Sequence, residues 1–400
     1  MKEKDNMNRY DAAYFSEPID RCGTHTYKWD MLQAKEGREL LPVWVADMDF
    51  RCAEEVTAAV VRRAKHPVYG YTEQPDSLTE AMLDFMKRRH GVSLAKKQQL
   101  TLPGVVPGLR IAVQTFTEVG DGVLVQPPVY GPFFDSITQN DRRLVENPLI
   151  PDEAGRYHMD LEGMETAFRS GVKLALLCNP HNPVARAWTR EELQSVYSLC
   201  KRYGVMLVAD EIHQDFVYES GAFVSAVTLD ESADAKIVVL TSAGKTFNLA
   251  GLQQGVLFTR NQQAKQAMEK AMCDAGVASG NIFALTATEA AYRWGEDWLN
   301  GLLAYLADAH ILLKEALAEK LPDAVMSPQE ATFLAWIDLR AYGFTTAELM
   351  RRTHEQGVAL SPGTFFSKTL GEGFLRFNFG CPHSQTIEAV ERLAKAIRAY

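Results

Sequence analysis

Short apolar runs alternate with helix-spaced patterns through the middle of the chain. Asp121–Pro128 (DGVLVQPP), Lys173–Pro180 (KLALLCNP), Gly204–Asp210 (GVMLVAD), Lys236–Ser242 (KIVVLTS) and Gly255–Thr259 (GVLFT) are apolar at successive positions. Strands read this way when helices cover both faces of their sheet. Between the second and third runs lies TREELQSVYSLCKRYG, which opens with a capping box, Thr189 and Glu192, and closes at Gly204. Strand, helix and strand in that rhythm predict an α/β fold with a largely parallel central sheet covered by helices. The last third changes character. A long helical pattern from about Trp294 to Lys320 is followed by ATFLAWIDL, a helical stretch and GFLRFNFG. That mixture predicts a smaller α+β domain, which Trp44–Phe50 joins from the N-terminal side. The expected division is residues 1–55 as an N-terminal segment contributing to the small domain, 56–290 as the large domain and 291–400 as the small C-terminal domain.

Composition narrows the function classes. A chain of 400 residues accommodates two domains. A net charge of −9 gives no electrostatic footprint for nucleic acid or an anionic membrane surface. Cys22, Cys52, Cys178, Cys200, Cys273 and Cys381 are scattered without CxxC spacing, as reduced thiols of a cytoplasmic protein are. The polar start MKEKDNMNRYDAAYF lacks the apolar core of a signal peptide, and no apolar run is long enough for a membrane span. The nine histidines show no ligand spacing and no HExxH, so no metal is expected.

Ligands of open parallel sheets bind beyond the carboxyl ends of the strands. Just past those ends stand Asn179 and Asn182, then Asp210, Glu211 and His213, then Ser242 and Lys245. Gly104, Val105 and Val106 stand at an expected helix start, where free N–H groups suit a phosphate. An Asn, an Asp, a Lys and a phosphate cradle on one sheet edge call for a ligand with a phosphate, a basic nitrogen and an electrophilic carbon. Rival motifs fail. Gly244-Lys245-Thr246 imitates the end of a P-loop, but the glycine that loop needs five residues earlier is Val239. GVVPGL is not the dinucleotide fingerprint, and no GxSxG elbow is present.

Taken together, SAGKTFNLAG, NPHNP, VADEIH, PPVYGPFF and GFLRFNFGCP resemble a fold-type I pyridoxal-phosphate enzyme of the class I/II aminotransferase superfamily. DRCGTHTYKWD, LPVWVADMDF, LLCNPHNP, DEIH and GCPHS narrow the resemblance to the cystathionine β-lyase type of C–S lyase, from about Asp20 to the C-terminus. The resemblance implies a cofactor, pyridoxal 5′-phosphate, in the large domain. It makes Lys245 the lysine that bonds the cofactor's aldehyde and then acts as base, with Asp210 as partner of the pyridine nitrogen. It places Asn182 on the phenolic oxygen and Tyr130 stacked on the ring. It assigns Val105, Val106 and Ser242 to the phosphate, and Arg376 to the substrate α-carboxylate. His213 belongs to the cofactor's surroundings and leans toward the lyases, since many aminotransferases carry Tyr there. Tyr71 matches a tyrosine that reaches the phosphate of the neighbouring subunit, implying a homodimer. The implied reaction is β-elimination from cystathionine or a related cysteine S-conjugate. An aminotransferase is the close rival, and a regulatory protein retaining the fold is a third reading.

The chain departs from the family pattern at five positions. Gly244 stands where a serine hydroxyl is usual. Gln253 stands where many relatives place Arg or Lys, removing a phosphate charge partner. Val184 and Ala185 replace Thr-Gly in the turn after Asn182. Ala331 replaces Gly, which is expected to reshape the substrate mouth.

Overall fold

The computed structural model describes residues 9–218 and 223–398; the first eight residues of the polar N-terminal stretch lie outside it. Its main sheet has seven strands: β1 (Gln99–Leu102), β2 (Gly122–Val125), β3 (Arg143–Glu146), β4 (Val172–Cys178), β5 (Met206–Asp210), β6 (Ile237–Thr241) and β7 (Gly255–Phe258), in the order β1-β7-β6-β5-β4-β2-β3. The predicted runs form β2, β4, β5, β6 and β7. β2, β6 and β7 are buried along their whole length, which is why their sequences show no alternation. The two edge strands, QLTL and RLVE, are half exposed and carry no apolar run to betray them. β7 runs antiparallel to both its neighbours. The connection from β6 holds two short helical turns, Ala243–Thr246 and Ala250–Leu252, and brings the chain back beside β6 in the opposite direction.

Helix α1 (Val105–Phe116) buries Val105, Leu109, Ile111, Ala112 and Val113 against the sheet. Helix α2 (Arg190–Tyr203) has the expected box: Thr189 Oγ1 accepts from the Glu192 N–H at 3.2 Å, and Glu192 Oε2 accepts from the Thr189 N–H at 2.8 Å. It ends at Gly204 with φ +71°. The one-turn helix after β6 is α3 (Ala243–Thr246), and the long C-terminal pattern becomes α4 (Glu296–Lys320).

A second sheet has the antiparallel order β8 (Val325–Met326), β9 (Leu334–Asp338), β11 (Phe374–Asn378) and β10 (Ser361–Pro362). Helices α4 and α5 (His383–Arg398) share its core through Leu313, Leu317, Leu393 and Ile397. The Trp44–Phe50 segment does join this part. Asn378 Nδ2 donates to the Asp47 carbonyl at 2.7 Å and the Asp49 N–H donates to the Gly380 carbonyl at 2.8 Å. It equally touches the loop after β6, where Asn248 Oδ1 accepts from Met48 N at 3.1 Å and Asn248 Nδ2 donates to the carbonyls of Met48 (3.0 Å) and Phe50 (2.9 Å). The segment therefore stitches the two sheets together over the ends of β4, β5 and β6.

Candidate active site

A cavity of about 510 Å³ opens there. Lys245, Asp210, Asn182, His213, Tyr130, Val105, Val106, Ser242 and Arg376 all line it, so nine of the residues singled out in the sequence meet in one place. Tyr71 does not; its side chain is fully exposed.

Each side chain is held by the element that carries it. Asp210 is the last residue of β5 and is buried, with Oδ1 accepting from the Ile212 N–H at 3.0 Å. Burial raises its carboxyl to about 7, against the opposing pull of that N–H and of Lys245. No cation lies within ion-pairing distance of it among the described residues. Lys245 sits in α3, and its Nζ donates to the Ala46 carbonyl. Burial lowers it to about 8; Arg376 adds to the fall and Asp47 and Asp210 oppose it. Behind it, the Thr246 hydroxyl donates to buried Asp215 at 2.7 Å, and Asp215 is paired with His90 at 2.8 Å.

Arg376, in the middle of β11, donates to the Trp44 carbonyl (2.6 Å), to Ser361 Oγ (3.2 Å) and to Asn182 Oδ1 (3.1 Å). Burial brings it down to about 10, and its Nε has no acceptor. With Oδ1 facing Arg376, the amide nitrogen of Asn182 is the end left to donate to a ligand. His213 is buried and held neutral, first by burial and then by the charges of Lys245 and Arg376.

At the other end, Gly104 precedes α1 with φ +148°, a conformation that favours glycine. Gly255 passes so close that a Cβ there would lie 2.9 Å from the Gly104 carbonyl carbon. The first-turn N–H groups of Val105 and Val106 have no intrahelical acceptor, and Pro107 offers none. The Ser242 hydroxyl is already committed: it accepts from the Gly244 N–H at 2.8 Å and donates to the Gln254 carbonyl. A Cβ on Gly244 would come within 2.9 Å of that same oxygen.

Two departures turn out differently from expectation. Ala331 does not border the cavity. It is buried, and its N–H donates to the Ala185 carbonyl at 3.0 Å. The turn after Asn182 survives the loss of its glycine because Ala185 itself adopts φ +58°. The sequence reading also missed Tyr27, Trp44, Ile212 and Phe365 in the cavity wall. Ile212 was accessible to it, lying two residues beyond Asp210. Also missed was a buried ion cluster under the Trp44–Phe50 segment. There Asp49 receives Lys28 Nζ (2.7 Å), an Arg21 guanidinium N–H (2.6 Å) and the Trp29 indole N–H (3.1 Å), while Arg21 also grips Asp47 (3.0 Å). Burial pushes the Asp49 carboxyl up, and Lys28 and Arg21 more than offset this and hold it low.

The family model described as aminotransferase class I and II matches residues 45–393. The cystathionine β-lyase PatB of Bacillus subtilis (strain 168) is 38% identical over 387 residues, 96% of this chain and 99% of that protein. Among solved structures, cystalysin from Treponema denticola, which contains a pyridoxal 5′-phosphate cofactor, has a TM-score of 0.92 at 29% identity, covering 96% of this chain and 98% of its own. The pyridoxal-phosphate-bound C–S lyase from Staphylococcus hominis has a TM-score of 0.89 at 29% identity over the same shares.

Proposed function

The chain belongs to the aminotransferase class I and II family and is a pyridoxal-phosphate-dependent C–S β-lyase; from that premise we propose how its residues divide the work. One observation carries the proposal. Lys245, Asp210 and Arg376 line a single cavity at the strand ends, each in the environment its role requires.

The residues fit the cofactor. Asp210 is a buried carboxyl raised to about 7 without a paired cation, the setting that a protonated pyridine nitrogen satisfies. The free N–H groups of Val105 and Val106 suit its phosphate, and the Asn182 amide suits its phenolic oxygen. Tyr130, partly buried in the wall, offers a flat face to the ring. His213, neutral and apolar-flanked, adds no charge beside it. The Ser242 hydroxyl meets the phosphate only by giving up its bond to Gln254.

When bound, pyridoxal phosphate supplies the sink for the electron pair left on the substrate Cα. Arg376 holds the α-carboxylate through its guanidinium and fixes which bond faces Lys245. The Lys245 amine takes the Cα proton. The Cβ–S bond breaks, the thiolate leaves with its electron pair, and addition of water yields pyruvate and ammonia. Cystathionine and related cysteine S-conjugates share the amino-acid head that this arrangement grips.

The active unit is a homodimer. Tyr71 is fully exposed beside exposed Tyr69 and Val68, as a side chain destined for a neighbouring subunit's site would be. We place the protein in the cytoplasm, where thiols such as the free Cys22, Cys52, Cys178, Cys200, Cys273 and Cys381 stay reduced. Residues 56–290 form the cofactor-binding unit, with 1–55 and 291–400 supplying the smaller one.

Lys245→Ala tests the assignment. The variant is expected to lose the visible absorbance of lysine-bound cofactor and to release pyruvate at least about 100-fold more slowly. A variant that kept both would refute the role of Lys245.

A further inference from the structure

The wall of the cavity around Arg376 is aromatic. Tyr27 and Trp44 lie with ring centroids 5.2 Å apart, and Tyr130 and Phe365 with centroids 5.9 Å apart. Tyr27 is 58% exposed and Phe365 48% exposed, so both present ring surface to whatever fills the cavity. Phe365 is seated by its neighbours. It packs edge-on against Phe366 at 5.1 Å and rests on Gly131, where a Cβ would come within 2.7 Å of the ring. The Trp44 indole N–H is turned away to the Lys28 carbonyl at 3.1 Å, while the Trp44 carbonyl accepts from Arg376. The same residue therefore anchors the carboxylate clamp and builds the apolar lip beside it.

The charged groups bordering the cavity among the described residues are Asp210, Lys245 and Arg376, and each already serves the cofactor or the amino-acid head. The nearby Arg21, Lys28, Asp47 and Asp49 are spent on one another in the buried cluster. Against these walls, a leaving group that carries its own ammonium and carboxylate would rest on aromatic surface with no charged partner from the described residues of its own chain, and desolvating charges that way is unfavourable. An uncharged apolar or aryl leaving group would gain by covering the same rings.

We propose that Tyr27, Trp44 and Phe365, beside the cofactor-stacking Tyr130, form a leaving-group subsite selecting cysteine S-conjugates whose thiol bears an uncharged apolar or aromatic substituent over those whose thiol is itself an amino acid. This rests on the lyase reading. The balanced reaction is R–S–CH2–CH(NH3⁺)–COO⁻ plus water giving R–SH, pyruvate and ammonium, with the Cα proton taken by Lys245 and the Cβ–S electron pair leaving on sulfur.

The test compares S-benzyl-L-cysteine with L-cystathionine on the holoenzyme, measuring thiol and pyruvate together. Both leave as alkyl thiolates, so the comparison reads the fit of the subsite. The kcat/KM ratio is expected to favour the benzyl conjugate by about tenfold or more. Phe365→Ala should lower that ratio severalfold, chiefly through KM for the benzyl conjugate, and Phe365→Leu should recover part of it. Tyr27→Ala, at an exposed position, gives a second reading if the Phe365 variants fold poorly. Turnover of both substrates with cystathionine equal or preferred overturns the subsite and leaves the lyase standing. Pyruvate from neither substrate overturns the lyase, and the subsite with it.

Discussion

Burial brings Lys245 down to about 8, and only its neutral amine can bond an aldehyde. Because the folded pKa lies below the ordinary lysine value, the neutral fraction grows as pH rises through 8. The rate at which cofactor-free protein captures pyridoxal phosphate, followed by absorbance, should therefore rise between about pH 7 and 9 and level off above; a rate independent of pH there would contradict it. The places of Lys245 and Asp210 at the cavity were legible in the sequence because Asp210 closes one apolar strand and Lys245 stands just beyond the end of another. Arg376 stood out as a lone cation inside such a strand. Tyr27 and Phe365 were not legible, since an exposed aromatic in a loop carries no local sign of the cavity it faces. Ser242 was read for its hydroxyl alone. The cap it makes with Gly244, and its bond to Gln254, depend on a backbone turn that the residue type does not announce.

The Trp44–Phe50 segment is the element on which the site turns. Its Ala46 carbonyl meets Lys245, its Trp44 carbonyl meets Arg376, and Lys28 and Arg21 fix it through Asp47 and Asp49. Lys28 is fully buried, so Lys28→Met leaves Asp49 short of a cation. Urea denaturation should show a loss of about 3–5 kcal/mol. Lys28 also repels the Lys245 ammonium, so its removal should move the midpoint of cofactor capture to higher pH. A purely structural role would lower stability and leave the midpoint in place. The sequence showed that this segment joins the small sheet. It did not show the three hydrogen bonds from Asn248 that tie it to the lysine loop, because those join residues about 200 positions apart. Strand direction was equally hidden at β7, because the apolar run GVLF reads the same for either direction.

Across the whole molecule, the parallel core and the mixed C-terminal part were readable from periodicity, whereas the expectation of a second subunit came only through family resemblance. In the proposed homodimer, fully exposed Tyr71 of one subunit finishes the site of the other. Mixing Tyr71→Ala with Lys245→Ala and allowing subunits to exchange should raise activity above the sum of the separate variants, because each hybrid dimer holds one site with both native residues. No gain from verified hybrids would remove Tyr71 from the site. An aminotransferase would use the same lysine and aspartate, so the fate of the substrate is what separates the two activities. The most direct measurement is pyruvate and thiol release from L-cystathionine and S-benzyl-L-cysteine with no keto acid present. Sustained, equimolar release over many turnovers is the predicted result; no release, with amino transfer appearing once a keto acid is added, would contradict it.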